Sequence, residues 1–281
     1  MVNYKLCAFA DEADKALAGQ IRAMQENGIA YLEMRGVNGI NVAKLTTTEA
    51  KAAAAELKAA GIKVWSLGSP AGKTPITDPF DFEKEQFKRL LETADITGAH
   101  AIRLFSFYGT EGKDEYFDEV CRRLSRFIEM AKEHDVVLCH ENEKGIYGDT
   151  PERCVRLMEA LPELRSVYDP ANFLQCGVDT LTAWDALAPY VHYMHIKDCD
   201  PEGNIVPPGE GEGNIAALLS RYAKAGGEIV TLEPHLTEFV GLSDLEEEDD
   251  KSAVGGCQFA SGREAFDYAI RSIKNIITDL A

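Results

Sequence analysis

The feature that most constrains the fold is a regular alternation of short apolar runs with longer amphipathic segments. Eight strand-like segments alternate with eight helical segments over 281 residues, at a spacing of about 30 residues, which is the size of a βα unit. Strands that alternate with helices in this way form parallel sheets. The pattern predicts an α/β protein with a closed (β/α)₈ TIM barrel, an eight-stranded parallel barrel with outer helices. A doubly wound open sheet is the alternative.

The predicted strands are Tyr4–Ala10, Tyr31–Arg35, Lys63–Pro70, Ala101–Phe107, Val136–Asn142, Arg165–Asn172, Val191–Asp198 and Glu228–His235. The clearest helix is 46–60, where Thr46 and Glu49 fit a capping box and Gly61 marks the end. We interpret residues 1–281 as a single domain with an insertion at about 236–262, between strand eight and helix eight. The insertion holds the acidic run Asp244–Asp250, which is typical of a solvated loop.

The charge of the chain narrows the partners that it can have. It carries 29 Lys and Arg against 47 Asp and Glu, a formal net charge of −18, which argues against a nucleic-acid or anionic-membrane surface. The N-terminus lacks a signal-peptide pattern, and no apolar run is long enough to span a membrane. Seven dispersed cysteines indicate reduced thiols. We therefore expect a cytoplasmic protein with a small-molecule partner, and leave open whether it forms a homo-oligomer.

Ionisable residues close four consecutive predicted strands. Strand five ends at Glu141, strand six reaches Asp169, strand seven holds His195, and strand eight ends near Glu233. Because side chains alternate along a strand and TIM-barrel sites lie at the carboxyl ends, these four can converge above the barrel. Three carboxylates and one imidazole suit one divalent metal ion, with Mn²⁺ favoured and Mg²⁺, Co²⁺ or Zn²⁺ as alternatives.

These residues resemble the xylose isomerase-like TIM-barrel superfamily, in particular its sugar phosphate isomerase/epimerase group. The resemblance rests on Glu141-Asn142 leading to Thr150-Pro151-Glu152, on Asp169 with Asn172, on His195-x-Lys197-Asp198, on Gly209-Glu210-Gly211 and on Leu232-Glu233. It implies that Glu141, Asp169, His195 and Glu233 bind the metal and that Glu141 and Glu233 are the catalytic acid/base pair. Two departures are Asn172, where such epimerases often carry His, and the lack of an Arg shortly after the metal-binding His.

The chemistry implied is proton abstraction next to a carbonyl through a metal-stabilised enediolate. A sugar or sugar-phosphate isomerase or epimerase is therefore the predicted function, with a lyase or dehydratase of a keto-inositol or keto-sugar on the same scaffold as the alternative. An AP-endonuclease-like metal hydrolase would need more histidines and a basic face than this chain has. A catalytically silent sugar-binding protein is the remaining alternative.

Further polar residues near the predicted rim are candidates for substrate binding. Lys73 and Arg103 are predicted anchors for a phosphate or carboxylate, and Lys197 and His235 share the strand face of the predicted ligands. The remaining candidates are Asn172, Glu33 and Glu210, the last on a glycine-rich loop expected to lie over the site.

Overall fold

The computed structural model describes residues 4–239 and 259–280. Eight parallel strands form one closed barrel in chain order, with the first strand paired to the second and to the last. The strands are β1 (Lys5–Ala8), β2 (Tyr31–Met34), β3 (Lys63–Leu67), β4 (Ala101–Leu104), β5 (Val137–Glu141), β6 (Arg165–Tyr168), β7 (Val191–Ile196) and β8 (Ile229–Leu232). The predicted (β/α)₈ barrel is therefore confirmed, and the open-sheet alternative is wrong.

The described helices surround the barrel. They are α1 (Leu17–Glu26), α2 (Thr47–Ala59), α3 (Phe80–Thr97), α4 (Phe117–Ala131), α5 (Pro151–Ala160), α6 (Pro170–Gln175), α7 (Thr180–Leu187), α8 (Ile215–Lys224) and α9 (Gly262–Asp279). The predicted capping box at α2 is present, since the Thr46 side chain accepts from the Glu49 amide and Glu49 accepts from the Thr46 amide. None of these helices is long and apolar enough to cross a bilayer.

Strand six is shorter than the sequence predicted. It ends at Tyr168, and the segment up to Asn172, predicted as strand, lies mostly in α6. The physical reason is local, because the Asp169 side chain caps the helix by accepting from the Asn172 amide and Pro170 occupies the first helical position.

The barrel interior is filled by small and aromatic side chains below the carboxyl ends of the strands. Cys7, Ala101, Cys139, Val167, Tyr193 and Ile229 form this buried cluster. Cys139 shares its strand face with Glu141, and Tyr193 shares its face with His195, as the alternation predicts. Apolar packing at this level therefore leaves the next inward-facing positions, which are polar, at the carboxyl-terminal mouth.

Two short hairpins lie beyond strand ends, Gly36–Val37 with Ile40–Asn41 and Asp198–Cys199 with Ile205–Val206. The six cysteines of the described ranges carry free thiols. Most of the predicted insertion at 236–262, including Asp244–Asp250, lies outside the described residues, and the single-domain interpretation stays a prediction.

Candidate active site

Glu141, Asp169, His195 and Glu233 meet at the mouth of the barrel. The His195 Nδ1 atom lies 3.1 Å from Glu141 Oε1, 3.2 Å from Glu233 Oε2 and 3.9 Å from Asp169 Oδ2. All four residues are buried, and one donor atom from each lies within 4.8 Å of the others. The structure thus brings together the four residues predicted as metal ligands, and the cluster could hold a metal ion.

The donor atoms fit a divalent cation. Glu141 Oε2 and Asp169 Oδ2 are buried and accept no hydrogen bond from the described protein. Their nearest charges are Arg103, whose Nη1 lies 3.1 Å from the Glu141 oxygen, and Lys197, whose Nζ lies 2.9 Å from the Asp169 oxygen. Because buried carboxylate oxygens without hydrogen bonds are costly, these atoms are suited to a metal. Carboxylates with one imidazole are ligands that Mn²⁺, Co²⁺ and Zn²⁺ accept.

Neighbouring charges give the three carboxylates of the cluster different protonation states. Burial opposes ionisation of Glu141 and Glu233, but their cationic neighbours outweigh it. His195 and Arg103 lower the pKa of Glu141 to about 2, and Lys197, His235 and His195 hold the pKa of Glu233 well below its usual range. For Asp169, burial and the nearby glutamates outweigh Lys197 and raise the pKa to about 7. Glu141 and Glu233 are therefore ionised at neutral pH and able to accept protons.

The imidazole of His195 is held from below by a buried carboxylate. Glu33 Oε2 lies 3.3 Å from His195 Nε2, and Glu33 Oε1 accepts a 2.8 Å hydrogen bond from Tyr193. Phe9 packs edge-on against the ring at 5.3 Å. With Nε2 directed to Glu33, the Nδ1 atom faces the three carboxylates. Protein groups contact both Glu33 oxygens. Its position therefore fits a role in orienting His195 better than it fits the substrate contact predicted from sequence.

A second ionic network flanks Glu233. The Arg35 guanidinium donates to Asp11 Oδ2 at 2.9 Å and Oδ1 at 3.1 Å, to Glu12 at 3.0 Å and to Glu233 at 3.2 Å. The His235 ring nitrogen Nε2 lies 3.2 Å from the same guanidinium. Burial raises the pKa of Glu12 to about 8, although Arg35 opposes this shift. The network fixes Glu233 and places the predicted substrate-binding residue His235 at the edge of the cluster.

Asn172 lies in α6 and contacts the four-residue cluster. Its side-chain amide donates to Glu141 Oε1 at 3.2 Å and to the Asn142 carbonyl at 2.9 Å. Asn142 in turn exchanges two hydrogen bonds with the Asp169 backbone, at 2.8 and 2.9 Å. Asn172 was predicted to bind substrate, and these contacts give it a position from which it also orients Glu141.

The predicted cationic substrate contacts lie around the same cluster. The Lys197 ammonium lies 2.9 Å from Asp169 and 3.3 Å from Glu233. Lys73 is half-buried with a largely covered side chain, forms a 3.2 Å ion pair with Glu143 and lies over the Phe105 ring at 4.5 Å. Arg103 projects inward from β4, with its Nη1 atom 3.1 Å from Glu141. The structure therefore places Arg103 and Lys197 beside the two ionised glutamates, while Lys73 pairs with Glu143.

Glu210 is not part of the four-residue cluster, and the prediction that it reaches the metal or substrate stays a prediction. It is exposed and accepts a 2.7 Å hydrogen bond from Tyr268 of α9. The reason is that the glycine-rich loop is anchored by Asp198, whose carboxylate accepts from the amides of Gly209, Gly211 and Gly213 at 2.9, 3.2 and 2.8 Å. Because the amides of Gly209 and Gly211 are held by Asp198 on either side of it, the Glu210 side chain lies outside the cluster.

Sequence reasoning missed three residues of the mouth. Asp11 and Glu12 follow β1 in a short 3₁₀ turn and are buried on Arg35, and Tyr193 binds Glu33. Their positions in the sequence could have indicated them. Asp11 and Glu12 directly follow a barrel strand, and Tyr193 shares its strand face with His195.

Comparison with known proteins gives the family and the fold of the chain. The family model described as "Xylose isomerase-like TIM barrel" matches residues 21–254, while no curated protein matches by sequence. Among solved structures, a probable 3-DHS dehydratase, AsbF of Bacillus anthracis, is 15% identical with a TM-score of 0.72 and 98% of each chain covered.

Two further solved structures share the fold. D-psicose 3-epimerase of Clostridium cellulolyticum H10, solved with D-tagatose, is 15% identical with a TM-score of 0.71, and 98% of this chain and 99% of that chain are covered. The IolI protein with a bound zinc atom is 15% identical with a TM-score of 0.70, and 99% of each chain is covered. The family model covers most of the chain, and so the protein belongs to the xylose isomerase-like TIM-barrel family.

Proposed function

We propose that this protein is a divalent-metal-dependent isomerase or epimerase of a sugar or sugar phosphate. The observation that carries the proposal is the convergence of Glu141 and Glu233, both ionised, on one buried cluster whose other members are Asp169 and His195. The solved structures with this fold include an epimerase bound to a sugar and a protein bound to zinc. Mn²⁺ is the metal we favour, with Mg²⁺, Co²⁺ and Zn²⁺ as alternatives.

Glu141, Asp169, His195 and Glu233 would hold the metal. A bound divalent ion supplies Lewis-acid stabilisation of negative charge that develops on the substrate oxygens when a neighbouring C–H proton is removed. Glu141, at the end of β5, and Glu233, after β8, come from non-adjacent strands of the barrel. One carboxylate can therefore accept the proton while the other returns it on the opposite face, which inverts the carbon; return to the adjacent carbon exchanges ketose for aldose.

The remaining residues of the mouth orient this pair. Asn172 donates to Glu141, and Arg35 donates to Glu233, so that each carboxylate is fixed by a protein donor. Lys197 and His235 lie beside Glu233, where they can donate to substrate hydroxyl groups. Closely packed, buried donors of this kind reduce the reorganisation that accompanies proton transfer.

The test is solvent deuterium exchange into a ketose substrate by the Mn²⁺-loaded protein, with products followed by NMR. A panel of ketoses, inososes and their phosphates supplies the candidates. We expect Glu141→Gln and Glu233→Gln to reduce exchange by at least 100-fold, since each removes a base. Glu163→Gln, which alters an exposed carboxylate after α5, is the matched control and should keep full exchange. Unchanged exchange in both active-site variants would show that the assigned bases are wrong.

A dehydratase is the second candidate, and the position of Lys197 favours it. Its ammonium lies within 3.3 Å of Glu233, so that a proton donor stands beside a proton acceptor. An enediolate formed by Glu233 could then expel a neighbouring hydroxyl group protonated by Lys197. Mass spectrometry separates the two candidates, because a dehydratase product is lighter by one water and an isomerase product keeps the substrate mass.

A further inference from the structure

One edge of the Arg103 guanidinium has no partner in the described protein. The residue is 2% exposed, and its Nε and Nη2 atoms are buried without a hydrogen bond. Only Nη1 is engaged, at 3.1 Å from Glu141 and 3.6 Å from Glu233. Buried guanidinium donors are rarely left unsatisfied, because each costs the free energy of removing it from water. The two orphaned donors lie on the same edge and point to a missing acceptor.

At the same barrel mouth, Arg35 binds a carboxylate through the Nε–Nη2 edge of its guanidinium. Its Nε and Nη2 atoms donate in parallel to the two oxygens of Asp11, at 2.9 and 3.1 Å, and it also contacts Glu12 and Glu233. On the corresponding edge of Arg103, no residue of the described ranges accepts a hydrogen bond. Since a planar guanidinium edge matches a planar carboxylate, the unpaired Arg103 edge is complementary to a second carboxylate.

The surroundings fix this guanidinium and add positive charge. Phe9 and Phe105 lie against it, with ring centroids 5.2 and 5.0 Å from its central carbon. The Lys73 ammonium lies 4.5 Å from the centroid of the same Phe105 ring. Aromatic packing limits rotation of the guanidinium, so that its free edge is preorganised instead of being formed when a ligand arrives.

We propose that the Nε–Nη2 edge of Arg103 binds a carboxylate of the substrate, and that the substrate of the enzyme is a keto sugar acid or a related hydroxylated keto acid. This inference rests on the proposed function, because it places the acid group beside Glu141, the proposed base. Two parallel donors match the two oxygens of a carboxylate, whereas a phosphate group offers three terminal oxygens and a second negative charge.

The test compares three ligands that differ only at C6: D-fructuronate, D-fructose and D-fructose 6-phosphate. Binding is measured by calorimetry to the Mn²⁺-loaded protein and to the chelator-treated protein. We expect D-fructuronate to bind at least tenfold more tightly than either other ligand in both forms. Equal binding of D-fructose, or tighter binding of D-fructose 6-phosphate, would overturn the proposal without the use of any variant.

Variants then assign the preference to Arg103. Arg103→Lys keeps a positive charge but removes the paired edge, and should reduce the preference for the acid to less than threefold. The control is Arg123→Lys, because Arg123 is also buried and packed on aromatic rings but binds Glu119 and the Ile76 and Asp78 carbonyls. It should keep the preference. An acid preference that appears only with Mn²⁺ and survives Arg103→Lys would mean that the metal, not Arg103, binds the carboxylate.

Ligand binding tests the carboxylate subsite and deuterium exchange tests the proposed isomerase function, so that either can be refuted without the other. If acid binding depends on Arg103 but no ligand exchanges deuterium, the proposed isomerase function is wrong and the carboxylate subsite stands. If D-fructose exchanges and the acid gains nothing from Arg103, the carboxylate subsite is wrong and the proposed function stands.

Discussion

Replacement of Glu33 by Gln should weaken metal binding without changing any proposed ligand. Glu33 has two acceptor oxygens and two donors, Tyr193 at 2.8 Å and His195 Nε2 at 3.3 Å. The amide of Gln has one acceptor oxygen, so that one of these donors must face an NH₂ group. All three residues are fully buried, and no water at the protein surface can compensate for the loss. We therefore expect the imidazole of His195 to lose its fixed orientation and part of its basicity.

The size of the effect follows from the bonds that are replaced. A hydrogen bond to a charged group contributes about 1.5–3 kcal/mol and a neutral one about 0.5–1.5 kcal/mol. Loss of the charged contact to His195 should therefore cost about 1–3 kcal/mol in metal binding. This corresponds to about a 5- to 150-fold lower affinity, which includes the roughly 10- to 100-fold loss usual for residues that orient a metal-bound histidine.

The assay is competition between the metal-free protein and a chromophoric chelator for Mn²⁺ and Zn²⁺. Tyr193→Phe leaves the Glu33 charge in place and should lower the affinity by less than about threefold. Glu83→Gln is the matched control, since Glu83 is a buried glutamate that accepts from the Gly72 amide and contacts none of the four proposed ligands. A folded Glu33→Gln variant with the affinity of the unmodified protein would refute a role for Glu33 in orienting His195.

The remaining predictions concern pH, local stability and metal removal. Burial, together with His100, lowers the pKa of His192 from 6.5 to about 4. Between these two pH values His192 is protonated only in the unfolded chain, so its contribution to the free energy of unfolding should fall by about 1–2 kcal/mol as the pH drops from 6.5 to 4, after allowance for partial solvent exposure. Urea titration should show a smaller fall in His192→Gln. Thr46→Ala removes the capping box of α2 and should lower that free energy by about 1 kcal/mol, as measured by urea titration. Asp198→Ala removes the acceptor for three loop amides, and hydrogen exchange at 209–213 should accelerate at least tenfold. A chelator should lower the melting temperature of the metal-loaded protein, since a ligand at 100 times its dissociation constant contributes about 2.7 kcal/mol.

The sequence was sufficient to predict the barrel and the meeting of the four proposed ligands. Both follow from periodicity, because each predicted strand contains a barrel strand and alternation places Glu141 with Cys139 and His195 with Tyr193 on inner faces. No tertiary contact was needed for these predictions. The end of strand six could not be predicted in the same way, since the side chain of Asp169 competes with strand pairing by capping α6.

Interactions between distant segments were beyond the reach of sequence reasoning. Arg35 binds Asp11 and Glu12, which lie more than 20 positions earlier in the chain, and nothing in the local pattern indicates this pairing. Glu33 is similar, because its position near the rim predicted a substrate contact, while its actual partners come from β7. Side-chain networks of this kind depend on distances that only the closed barrel fixes.

The buried charges at the mouth of the barrel bear on the proposed metal. Among the described residues, three permanent cations, Arg35, Arg103 and Lys197, face six buried carboxylates, those of Asp11, Glu12, Glu33, Glu141, Asp169 and Glu233. Burial raises the pKa of Glu12 to about 8, which leaves that group protonated at neutral pH. Five carboxylates then face three permanent cations. In the metal-free chain the difference is met by protons: the surrounding glutamates outweigh burial and raise the pKa of His195 well above its usual value, and the pKa of Asp169 is raised to about 7. The proposed divalent cation at the Glu141 cluster would replace these protons, since metal binding requires neutral His195 and ionised Asp169, and would leave no buried charge unpaired.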